Sequence, residues 1–159
     1  MKKFLIVLLA LNAVPALALE NMNANQVVAT VTNIDMKIQT VSLTQDGMLS
    51  IILRDGGREL TEQLSEVTTS HLVYQAHMLA SSVITVEHHV VVCMMIVSPM
   101  NMPFLSVARA DGEFKKVLTS NNCATPTSIF PEARRDFAEA TAVREALIVL
   151  ATEAVARSN

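Results

Sequence analysis

Residues 131–157 constrain this chain more than any other stretch. Placed on a helical wheel, Phe137, Ala140, Val143, Leu147, Ile148, Leu150, Ala151, Ala154 and Val155 fall in one arc of about 160°. Glu139, Glu145, Glu153 and Arg157 fall outside it. A long helix with so wide an apolar stripe must lie on an apolar surface, most simply a sheet. Pro131 suits the first turn, Glu132 the positive end of the helix dipole, and Ser128 is a candidate cap. Arg144 lies inside the apolar arc. It reads as a guanidinium snorkelling at the rim of the contact, the alternative being a buried partner for an acid such as Glu87.

The rest of the chain supplies that sheet. "QVVATVTN" (26–33) is rich in Val and Thr and reads as a strand. "KIQTVSLT" (37–44) alternates Ile38, Thr40, Ser42 and Thr44 with Lys37, Gln39, Val41 and Leu43, so both faces are expected to be partly covered. Gln45-Asp46-Gly47 turns the chain into "MLSIILR" (48–54). Asp55-Gly56-Gly57 turns it again into an edge arm over 58–64. Residues 104–109 and 113–118 form another hairpin about an Asp111-Gly112 turn.

Between these groups, Leu60, Leu64, Val67, His71, Tyr74 and Met78 recur at spacings of four, three, four, three and four. That stripe predicts a helix over Ser65–Ala80, ended by Ser81-Ser82, against the β-branched run Val67-Thr68-Thr69. Runs of strands with segregated helices predict an α+β fold. The expected form is a mainly antiparallel sheet of about six or seven strands, packed against one or two helices, with a long C-terminal helix.

The N-terminus bears on location. Lys2 and Lys3 precede an apolar run, Phe4–Val14, broken only by Asn12, and Ala16-Leu17-Ala18 follows Pro15. This pattern is that of a secretory signal peptide over residues 1–18, leaving one small exported domain over 19–159. The run is short of the ~20 residues a membrane-spanning helix needs, and no later run is long enough either. The chain carries 12 basic and 15 acidic side chains. Cleavage removes Lys2 and Lys3 and no acid, which moves the net charge from −3 to −5. An acidic surface does not suit nucleic acid. The location expected is periplasmic or secreted, with an envelope or extracellular partner.

Cys93 and Cys123 are the two cysteines. In an oxidising compartment a disulfide between them is the expected state. It would close a loop of about 30 residues and contribute roughly 3 to 4 kcal/mol.

"EHHVVVCMMIVSPMNM" (87–102) concentrates soft-metal ligands. Residues 83–97 read as a central strand covered on both sides. His88 and His89 then point to opposite faces, and His89 and Cys93 lie about 13 Å apart along the strand. Met94 and Met95 read as core fillers. Met100 and Met102, between Pro99 and Pro103, are the remaining candidates for a copper(I) site.

No H-E-x-x-H, G-x-S-x-G or phosphate loop occurs. His71 and His77, six apart on a helix, do not converge, and Ser70-His71 lacks an orienting acid. The sequence therefore points to a non-enzymatic binding or interaction protein with no cofactor. The alternatives are a soft-metal binder at Met100 and Met102, or an enzyme whose groups meet only in the fold.

Overall fold

A computed structural model describes residues 23–81, 104–119 and 131–158. The strands are β1 (Val27–Thr32), β2 (Ile38–Thr44), β3 (Met48–Leu53), β4 (Glu59–Gln63), β5 (Phe104–Ala108) and β6 (Phe114–Leu118). The helices are α1 (Glu66–Ala80), between β4 and β5, and α2 (Pro131–Arg157), after β6. The sheet is antiparallel throughout, in the order β4-β3-β2-β1-β5-β6. The fold is α+β, as the sequence indicates.

A meander of four strands comes first, and the β5–β6 hairpin then adds to the free side of β1. The expected strand at 83–97 lies outside the described residues. Residues 1–22 lie outside the described residues too, as do Ser128, Cys93, Cys123, Met100 and Met102.

Both helices lie on one face of the sheet and touch each other. Leu43, Leu49, Ile51, Leu105, Val107 and Val117 rise from the strands into this layer, all fully buried. α2 meets them with Phe137, Ala140, Val143, Leu147, Ala151, Ala154 and Val155, and Ile148 and Leu150 pack partly buried against the same core. These nine are the arc read from the sequence. α2 contacts β6, β5, β1, β2 and β4, so it straps the sheet from one edge to the other.

Two irregularities shape the sheet. In β2, Ile38 pairs with Leu53 but Thr40 pairs with Ile52, so Gln39 is an extra residue. The bulge flips the alternation and brings Ile38, with Val41 and Leu43, into the buried layer. Strict alternation had placed Ile38 with Thr40, Ser42 and Thr44. The second shift falls between Val27 and Ala29 in β1, and Val28 there is buried.

The β2–β3 turn is the fold's junction. Gly47 has φ +86°, a conformation glycine takes without strain, and a Cβ there would overlap the Thr69 side chain of α1. Its carbonyl accepts from the Leu64 amide at 3.0 Å, and the Asp46 carbonyl accepts from Gln63 Nε2 at 2.8 Å. The turn thus holds β4 and the start of α1 together.

Candidate interaction site

α1 begins where the sequence marks it. Ser65 is the N-cap, its hydroxyl accepting from the Thr68 amide at 3.2 Å, and Glu66 occupies the first turn. Ser81 closes the helix, its amide directed at the Met78 and Leu79 carbonyls.

Its orientation is the finding. The buried side chains are Leu72, Val73, Ala76 and Leu79, which pack over β1 and β5. Of the stripe that signalled the helix, Leu60 and Leu64 before α1 lie in or against the core, while the four residues on α1 itself face away from it. Val67 is 81% exposed, Tyr74 51% and Met78 39%, and His71 is exposed between them. α1 therefore carries apolar side chains on two faces. A periodicity count sees both, and only the fold decides which one is covered.

The outer face is short of charge as well as apolar. Within Glu66–Ala80, Glu66 is the one Asp, Glu, Lys or Arg. Exposed Tyr and Met with a single carboxylate on their helix are residue types enriched at interface centres. Three such residues in one line, with His71 between them, are more than scattered surface apolarity.

His77 lies on another flank of α1. Its Nε2 donates to Gln45 Oε1 at 2.9 Å, and burial lowers its pKa. His71 and His77 stay apart, and His71 has no hydrogen bond to a carboxylate among the described residues.

The opposite face of the sheet is a polar surface with a charge at each edge, Lys116 on β6 and Glu59 on β4. Register places Lys116, Ser106, Thr30, Ser42, Ser50 and Thr61 in one row across all six strands. Thr30 and Ser42 share a hydrogen bond at 3.2 Å, and Ser50 Oγ donates to Glu59 Oε1 at 2.6 Å. Such cross-strand pairs stabilise the sheet, and that accounts for the row.

Charged groups cluster at the ends of α2. Near its start, Lys115 of β6 is buried on the helix side; burial lowers its pKa, Arg109 lowers it further and Asp136 opposes. At its end, Arg157 Nη2 donates to both Glu62 oxygens at 2.6 and 2.7 Å. Midway, Arg144 is half-buried and its pKa is lowered by burial. Its Nε is enclosed without a hydrogen-bond partner among the described residues. Among the described residues these groups do not converge on a common centre. Among the described residues, no three His, Cys, Asp or Glu side chains gather as metal ligands would, and no helix is long and apolar enough to cross a membrane.

No protein-family model, curated protein or solved structure matches the chain.

Proposed function

We propose that the chain is an exported, non-enzymatic protein that acts by contact with another macromolecule, and that the outer face of α1 makes the contact. The observation that carries this reading is the exposed, charge-poor line Val67, His71, Tyr74 and Met78. Exposed apolar surface of this kind is unfavourable in water unless something covers it. The signal-like residues 1–18 and the two cysteines support a periplasmic or secreted setting, where a Cys93–Cys123 bridge is the expected state. The net negative charge favours a protein partner over nucleic acid.

The test is photo-crosslinking in intact cells. A photoreactive residue replacing Tyr74 should give discrete protein adducts, and one replacing Glu145 on the outer face of α2 should give none. Adducts from neither position, or equally from both, would contradict the assignment. Mass spectrometry of the exported chain should find Leu19 at its N-terminus and Cys93 joined to Cys123. An unprocessed chain retained in the cytoplasm would remove the setting.

A further inference from the structure

We infer that the two edges of the sheet are complementary to each other, and that copies of this chain join head to tail, β4 of one copy pairing with β6 of the next. The inference is independent of the outer face of α1.

Strand direction permits the junction. Among the described residues, no strand lies beside the outer edge of β4 or of β6. The six strands alternate in direction, so β4 and β6 run opposite ways. A second copy in the same orientation therefore brings its β6 antiparallel to β4 of the first. Its helices then lie on the same side of the joined sheet.

Main-chain bonding fixes which residues meet. The Leu53 amide donates to the Arg58 carbonyl at 2.8 Å, and the Leu64 amide to the Gly47 carbonyl at 3.0 Å. By antiparallel alternation, Leu60 and Glu62 bond to β3, while Glu59, Thr61 and Gln63 direct their amides and carbonyls outward. On the other edge, the Arg109 amide donates to the Glu113 carbonyl at 2.8 Å. Lys115 and Val117 then bond to β5, and Phe114, Lys116 and Leu118 direct their main-chain groups outward. Both edge strands are five residues long. Matching them end to end sets Thr61 opposite Lys116 and forms about six main-chain hydrogen bonds.

Side chains select that register. On the helix side it sets Glu62 opposite Lys115 and Leu60 opposite Val117. These are non-hydrogen-bonded pairs, where facing side chains come closest. On the polar side Glu59 lies diagonal to Lys116, within reach of a long side chain. Sliding either strand by two residues sets Leu60 against Lys115, or Glu62 against Val117.

Charge selects the partner edge. β4 carries Glu59 and Glu62 and no cation, and β6 carries Lys115 and Lys116 and no acid. Two β6 edges matched end to end would set Lys116 against Lys116, and two β4 edges would gather four carboxylates. Charges on edge strands keep like edges apart, and here the unlike edges attract. Lys115 is buried, and burial and Arg109 both act against its charge. Glu62 of the next copy would join Asp136 in offsetting them.

A head-to-tail junction does not close at two copies. Sedimentation equilibrium of the purified exported protein, from about 10 µM to about 1 mM, tests it. The mass should rise past two chains, and raising salt should weaken association several-fold. Thr61→Pro and Lys116→Pro each remove an outward amide that neither β3 nor β5 uses. Each variant alone should remain at one chain mass with its circular dichroism spectrum unchanged. An equimolar mixture should reach two chains and stop, since each variant keeps the edge that the other lacks. Thr61→Lys and Lys116→Glu should each weaken association about fivefold. Both in one chain should bring it back to within about threefold of the parent.

One chain mass throughout the range would overturn the inference. So would a parent mass that levels at two chains, or folded proline variants that fail to combine. If a proline variant loses its circular dichroism spectrum, the charge exchange decides. A Thr61→Lys/Lys116→Glu chain no better than the single variants would then overturn the junction.

Discussion

The two helices lie side by side on one layer of the sheet and treat water in opposite ways. α2 buries one broad face and turns Glu145, Glu153 and Arg157 outward, with Val149 as a lone exposed apolar side chain among them. α1 buries Leu72, Val73, Ala76 and Leu79 yet turns Val67, Tyr74 and Met78 outward. A helix needed only for the fold has no reason to keep its second face apolar. The contrast separates a strap, whose sequence is accounted for by packing, from a helix whose sequence exceeds what packing requires.

The largest expected effect lies under the strap. Leu147 is fully buried on α2, and Leu147→Ala should lower stability by about 3 kcal/mol, a lost side chain plus the cavity it leaves. Urea unfolding measures this, and a loss under 1 kcal/mol would mean that α2 does not pack as described. Gly47→Ala should follow at about 2 kcal/mol, since it combines strain at positive φ with a clash against Thr69. A silent substitution would detach the β2–β3 turn from α1.

Arg144→Met should act in the other direction. It replaces a guanidinium whose Nε is enclosed and unpaired among the described residues with an apolar chain of similar length. A gain of about 1 kcal/mol is expected. A loss of that size would instead identify a partner for Arg144. Val67→Ala, on the outer face of α1, should change the stability of the dilute monomer by less than about 0.5 kcal/mol. A larger loss would make Val67 part of the core.

A smaller, pH-dependent effect belongs to His77. Burial lowers its pKa, so between the folded and unfolded values the unfolded chain binds more protons. Stability is then fully present above the unfolded value of about 6.5 and declines as pH falls towards the folded one. Urea midpoints should fall across this window in the parent and change less in His77→Gln. Asp46, whose pKa is lowered chiefly by its hydrogen bond from Thr44, adds a separate decline at lower pH, as its carboxylate is protonated.

Most of the architecture was legible in the sequence because it is local. Asp46-Gly47, Asp55-Gly56-Gly57 and Asp111-Gly112 mark turns through glycine's access to positive φ, and the structure has φ positive at Gly47, Gly56, Gly57 and Gly112. Ser65 marks a helix start, and the α2 arc marks its own buried side. The bulge at Gln39 was not legible, since nothing in "KIQTVSLT" distinguishes an extra residue from alternation. Nor was the outward turn of α1. Its two apolar faces compete for the same core, and the choice depends on how β1, β5 and α2 meet it. The candidate site is therefore a stripe whose residues the sequence picked out and whose exposure it could not give. Asn33, the one non-glycine at positive φ among the described residues, also lacks a sequence signal of comparable strength.

The division of α1 into an inner face for the fold and an outer face for contact is tested most directly by oxidative footprinting. Met36, 92% exposed on the β1–β2 turn, is a built-in reference for Met78 and Tyr74. In dilute purified protein all three should oxidise readily. In intact cells Met36 should oxidise as before, while Met78 and Tyr74 should be protected several-fold. Equal oxidation of all three in both settings would contradict a covered outer face, and protection of Met78 and Tyr74 already in the dilute monomer would contradict the orientation of α1 itself.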